Sequence, residues 1–292
     1  MAKKAVSISS ALAKTQDGGI QITFTIPFEI ISQTREEALT EFAKDIEVPG
    51  FRKGKAPLEK VRERVPTGSL IEHTLSHLLP KAVAEVINKE KLRPAIYPRF
   101  ELVKAEEGEA WQVRAVTCEV PPVSLGDYKK VISGALRAKS IWTPGQGEKP
   151  KERSKEEKEQ EVIHALLESF KVEIPKLLID EEVNARLSNL LEKIERLGLT
   201  LDGYLASVGK STDSLRAEYE IQAKNTIALD LILTTVAQEE KIEIKETEVD
   251  AAIAAAGAEP KVAERLNTPE QRRLIRGVLA RRTALDSLSA LL

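Results

Sequence analysis

The spacing of apolar residues changes period partway along the chain, and that change limits the fold more than any other feature. Near the start, Val6, Ile8 and Leu12 alternate with polar or small residues, and Ile20, Ile22, Phe24 and Ile26 do the same. Successive side chains of a strand point to opposite faces, so this alternation marks strands with one apolar face. Asp17-Gly18-Gly19 between the runs supplies a hairpin turn. Phe100 and Leu102, then Trp111, Val113 and Ala115, repeat the pattern around Glu107-Gly108-Glu109. From about Glu152 the period is helical throughout, with no strand pattern and no internal repeat. The expected fold class is therefore an α+β N-terminal domain, an antiparallel sheet with helices, followed by an all-α C-terminal domain.

Helices fill the interval between the strand pairs. Thr34-Arg35-Glu36-Glu37 reads as a capping box, and Ala38, Leu39, Phe42, Ala43 and Ile46 follow as one helical stripe. Ser69-Leu70-Ile71-Glu72 reads as a second box, followed by Ile71, Leu75, Leu78, Leu79, Ala82, Val83 and Val86. Pro80 falls inside this run and predicts a kink or a new helix start. These elements group residues 1–132 into a first domain. Residues 133–151, with Thr143-Pro144-Gly145-Gln146-Gly147, form a linker, and the charged run Lys149 to Gln160 ends in a solvated helix start. Residues 152–292 form the helical domain. Its stripes are Val183, Leu187, Leu190, Leu191, Ile194 and Leu197, closed by Gly198, and then Tyr219, Ala223, Ile227, Ala228, Leu231, Ile232 and Val236. A last helix from about Pro269 carries Leu274, Val278, Leu285, Leu288 and Leu292 among Arg272, Arg273, Arg276, Arg281 and Arg282. Those arginines are expected to complement the helix dipole and the solvent face rather than bind RNA.

Composition removes several functions. The formal net charge is −2, so any electrostatic partner must be met by a local patch. Met1 is the only methionine, which excludes a Met-rich adaptable groove. Cys118 is the sole cysteine, so neither an internal disulfide nor a cysteine metal cluster can form. No secretory signal follows Lys3-Lys4, and no apolar run approaches the roughly 18 residues of a membrane span. A cytosolic protein with no membrane partner and no cofactor is expected. His73 and His77 stand four residues apart on one helix, a spacing zinc ligands use, but there is no His-Glu-x-x-His and no cysteine beside them. They are read as structural or solvated, with no catalytic and no metal residues assigned.

One loop stands apart. Gly50-Phe51-Arg52-Lys53-Gly54-Lys55-Ala56-Pro57 follows Val48-Pro49 between two helical segments. Two glycines and two flanking prolines define a tight exposed turn. Three cations and one phenylalanine on such a turn have no core to fill. They suit docking, the cations meeting acidic groups or RNA phosphate and the ring entering a protein pocket. A phosphate-binding Walker loop is disfavoured, because only three residues separate the glycines and Ala56 stands where a hydroxyl belongs. A merely basic turn is the plainer reading.

The run Gly-Phe-Arg-Lys-Gly-Lys-x-Pro resembles the ribosome-docking signature of trigger factor, a family of bacterial nascent-chain chaperones. The preceding hairpin, Pro94, Pro98, Val120-Pro121-Pro122-Val123 and Asp127-Tyr128 share the likeness. So do Val172-Glu173-Ile174-Pro175, Leu199 to Leu215, and Gln238-Glu239-Glu240-Lys241-Ile242 with Glu246-Thr247-Glu248-Val249. The resemblance implies that residues 1–132 bind the ribosome and residues 152–292 hold substrate. It implies an ATP-independent chaperone that docks beside the exit tunnel through Phe51, Arg52 and Lys53. Gly50, Gly54 and Pro57 would shape the loop, and Lys55 would add charge. The implied partners are the large ribosomal subunit, through a tunnel-rim protein and ribosomal RNA, and nascent or unfolded polypeptides. The docking face, partly apolar when free, also suits a homodimer. The family's prolyl-isomerase domain has no room between residues 133 and 151, far below the roughly 50 residues of a small domain. No enzyme is therefore expected. The alternatives are a prolyl isomerase hidden in that short middle, or an assembly chaperone working off the ribosome.

Overall fold

The computed structural model describes residues 7–15, 18–140 (backbone alone from 135), 154–256 and 265–291. Val6, Asp17, the linker from 141 to 151 and Leu292 lie outside the described residues. The chain divides into two compact units, Met1–Val120 with Pro175–Leu178, and Pro121–Ile174 with Ile179–Leu292.

In the first unit, β1 (Ser9–Lys14), β2 (Gly19–Ile26), β3 (Arg99–Lys104) and β4 (Trp111–Cys118) form an antiparallel sheet of order β1-β2-β4-β3. The register sets Phe24 opposite Val113, Ile22 opposite Ala115 and Ile26 opposite Trp111. The alternating apolar residues thus share one face, and all six are buried. Burial of each such side chain contributes about 1.5–3 kcal/mol. β1 behaves differently. Its residues are all exposed, Leu12 included, and only Ile8 just before it packs on the core. It is an edge strand, and the apolar face of the hairpin lies in β2.

Helices α1 (Phe28–Asp45), α2 (Leu58–Arg62) and α3 (Thr67–Glu90) complete this unit. Neither expected capping box forms. Helix α1 starts six residues before Thr34, after Pro27, and Thr34 is buried within it. Helix α3 starts at Thr67 after Pro66. The reason for α1 is tertiary: Ile31 is fully buried in the sheet core, so its packing extends the helix N-terminally. Helix α3 also runs through Pro80 without a break. Ser76 and Pro80 are both exposed, so water can satisfy the Ser76 carbonyl that the proline leaves without a donor, while Leu79, Ala82 and Val83 hold the helix to the core.

The second unit contains α4 (Tyr128–Ser140), α5 (Lys155–Ser169), α6 (Lys176–Arg196) from Ile179 onward, α7 (Leu201–Val208), α8 (Thr212–Glu239), α9 (Glu246–Ala256) and α10 (Pro269–Ser289). Tyr128 and Ile132, grouped with the sheet on sequence, pack here with Val162, Leu166, Ile232, Val236 and Leu288. The backbone is helical to Ser140, so helix occupies the start of the expected linker. Ser154 and Glu157 form a capping box in which the hydroxyl accepts from the Glu157 amide and the carboxylate from the Ser154 amide.

Glu240, at the end of α8, fastens three helices. Its carboxylate accepts hydrogen bonds from Tyr128 Oη at 3.1 Å and Ser287 Oγ at 3.0 Å, and meets Lys129 Nζ at 3.0 Å. Burial pushes its pKa up, but the bonds from Lys129, Ser287 and Tyr128 outweigh burial and hold it below the usual carboxylate value. Burial first, and then the bond to Glu240, push the Tyr128 hydroxyl up to about 12.

Candidate functional site

The loop between α1 and α2 is built from a small separate core. Ala38, Leu39, Ala43, Val48, Val61, Val65 and Leu70 are buried together, with Phe42, Ile46 and Ala56 against them. Val48 fastens the chain entering the loop, and Ala56 with Val61 fastens it leaving. Between these anchors the backbone turns twice, at Gly50 with φ 83° and at Gly54 with φ 77°. Side-chain-bearing residues avoid this left-handed region, so the glycines are required by conformation. No neighbouring atom would crowd a Cβ at either position. The Phe51 amide donates to Val48 O at 3.0 Å, the Lys55 amide to Arg52 O at 3.0 Å, and the Gly54 amide to Ala43 O at 3.0 Å. The last bond ties the loop to α1. Pro57, with φ −59°, stands at the N-terminus of α2 and ends the loop.

The tip faces solvent. Phe51 is 46% exposed, a large value for a phenylalanine. Arg52, Lys53 and Lys55 are exposed. Lys53 Nζ meets Glu47 Oε1 at 3.5 Å, in a pair whose two side chains are both exposed and which holds little energy. Among the described residues no carboxylate pairs with Arg52 or Lys55. The structure therefore brings all of the sequence-selected residues into one exposed turn, with the aromatic ring presented and two cations uncommitted.

Two matches to family models cover nearly all of the chain. Residues 9–137 match the model described as bacterial trigger factor protein, and residues 146–290 match its C-terminus. The chain belongs to the bacterial trigger factor family. Trigger factor of Streptococcus agalactiae is 35% identical over 116 residues, 40% of this chain and 27% of that protein. Trigger factor of Staphylococcus aureus is 33% identical over 108 residues, 37% of this chain and 25% of that protein. The chain thus spans about a quarter of the length of these curated relatives. A solved trigger factor chaperone structure, reported for promiscuous substrate recognition in folding and assembly activities, superposes with a TM-score of 0.63 at 15% identity. The superposition covers 97% of this chain and 99% of that one, so the trigger factor fold is shared.

Sequence reasoning missed the parts that hold the trigger factor loop in place. Val48 and Val61 read as ordinary apolar residues, and no side-chain pattern announces a bond to the Ala43 carbonyl. It also left the helical stripes undivided between core and surface. Leu197 is 73% exposed and Leu274 63%, while Val183 and Leu288 on the same helices as their neighbours are buried.

Proposed function

We propose that this chain docks on the large ribosomal subunit through the Gly50–Pro57 loop and holds nascent or unfolded polypeptides on its helical unit, without ATP. One observation carries the reading: a half-exposed phenylalanine held among three cations, two of which, Arg52 and Lys55, have no carboxylate partner among the described residues, on a loop fixed by its own small core, in a member of the trigger factor family. Phe51 would enter an apolar pocket of a protein at the tunnel rim. Arg52 and Lys55 would meet acidic side chains or ribosomal RNA phosphate, with Lys53 exchanging its weak bond to Glu47 for one of them. The first unit, to Val120, is the docking part, and the helical unit is the holding part.

Client binding rests on the helical unit's exposed apolar side chains, among them Leu197, Leu199, Ile221, Leu274 and Val278. Each contributes little, at about 25 cal/mol per Å² buried. Docking at the tunnel exit raises the local client concentration, so many weak contacts suffice. A client that folds withdraws its apolar surface, and release follows without fuel. The two family matches leave only residues 138–145 between them. That supports a chaperone with no isomerase domain between its two parts, and a chaperone docked on ribosomes would work in the cytoplasm.

The test is co-sedimentation with large ribosomal subunits. Wild type is expected to pellet with them, and Phe51→Ala/Arg52→Ala/Lys53→Ala to stay in the supernatant with unchanged helix content. Equal sedimentation of the triple variant refutes this docking mode. Acceleration of a proline-limited refolding reaction beyond a non-catalytic holdase control would instead establish an isomerase.

A further inference from the structure

We infer that Glu41, His73 and His77 form a binding site for a divalent transition-metal ion, of which zinc is the type. The two histidines stand on successive turns of α3, and Glu41 projects toward them from α1. His73 Nε2 and His77 Nε2 each lie 3.4 Å from the same oxygen, Glu41 Oε2. That separation is long for a hydrogen bond, which prefers about 2.7–3.2 Å. It matches the edge of a tetrahedron around zinc, where bonds of about 2.0–2.1 Å place ligand atoms about 3.3–3.4 Å apart. All three ligand atoms lie within 4.8 Å of one another, so a small side-chain rotation closes the third edge.

The donor set selects the ion. Two imidazoles and one carboxylate suit zinc, nickel, cobalt or copper, whereas magnesium and calcium prefer oxygen alone. Two histidines and one glutamate with an open fourth position is a recurrent zinc arrangement. The rings pack against one another at tilted angles: Phe42 lies 4.8 Å from His73 between centroids, and His73 lies 4.9 Å from His77. The buried His73 Nδ1 has no hydrogen-bond partner among the described residues. His77 is half-exposed and borders an open cleft of about 370 Å³ that Glu37, one turn before Glu41, also lines. The Glu41 and His77 side chains are both half-exposed, so an ion and its water ligand can reach them from solvent. The ion would brace α1 against α3 two residues before Ala43, whose carbonyl anchors the loop through Gly54.

The experiment is calorimetric titration of zinc chloride into the full chain, free of any affinity tag and stripped with chelator, followed by Co²⁺ absorption spectroscopy. One zinc per chain is expected, together with the visible d–d bands of Co²⁺ in a low-symmetry site. Zinc should raise the thermal midpoint, and magnesium should not. Glu41→Gln and His77→Ala change half-exposed positions and are expected to leave the metal-free midpoint unchanged. Each should weaken zinc by at least about tenfold, and their combination should abolish the Co²⁺ bands. Zinc bound as tightly by the combined variant, or no saturable binding by wild type, overturns the proposal. Ribosome co-sedimentation plays no part in this readout.

Discussion

Two sets of cations in this molecule look alike in sequence and differ in what surrounds them. The loop carries Arg52, Lys53 and Lys55, and helix α10 carries Arg272, Arg276, Arg281 and Arg282. These four are occupied, while the fifth arginine of the helix, Arg273, is exposed and has no carboxylate partner among the described residues. Arg272 reaches Glu246 at 2.6 Å and Asp250 at 2.8 Å, and Arg276 also bonds Glu246. Arg281 meets Asp230 at 3.3 Å, and Arg282 meets Glu159 at 2.6 Å. They link α10 to α9, α8 and α5. The expectation that they serve the dipole and the solvent face understated this role. Among the described residues the loop cations have only the weak Lys53–Glu47 pair. A cation informs about partners outside the molecule only when no carboxylate inside has claimed it.

The comparison breaks most visibly in ribosome affinity. Arg52→Ala/Lys55→Ala is expected to weaken binding by about tenfold or more, to lower its salt slope by about 2 if both cations meet phosphate, and to leave the thermal midpoint unchanged. Arg272→Ala/Arg282→Ala should do the reverse, lowering the midpoint without touching affinity. Equal affinity losses for the two pairs would erase the distinction between them.

Gly54→Ala comes next. It forces a side chain into the left-handed region at a cost of about 1–2 kcal/mol. Urea denaturation of the first unit should show the loss, with weaker ribosome binding beside it. Tyr128→Phe removes one bond to Glu240 and should lower stability of the helical unit by about 1 kcal/mol. The same clasp sets a pH dependence. The folded-state pKa of Glu240 is depressed, so its stabilisation is full above the ordinary carboxylate value and is lost as pH falls through the lower folded one. Urea midpoints across acid pH should therefore fall less steeply in Glu240→Gln than in wild type. The smallest effect is Lys53→Ala in stability, within about 0.5 kcal/mol, because its pair with Glu47 is solvent-screened.

Much of the architecture was legible because apolar periodicity is a local property that burial preserves. β2 and β4 follow their alternation residue by residue, and α8 covers the predicted stripe. The Gly50–Pro57 loop was legible for a different reason, since Gly50 and Gly54 encode backbone conformations that few other residues adopt. Helix starts were not. Thr34 carries the letters of a capping box, yet Ile31 is worth more buried than Thr34 is as a cap. Leu12 and Leu197 alternate or recur like core residues, but both are exposed, and no sequence pattern records that.

By itself, the sequence determined the sheet, the helical second half, the loop with its ring and charges, and the family likeness. Those depend on nearest neighbours and short spacings. Only the tertiary structure decided which arginines are claimed, which leucines face solvent, and that Glu41 meets His73 and His77 across two helices. The pairings join residues more than twenty positions apart, and a one-dimensional pattern carries no information on which distant side chains packing will bring within a bond's length.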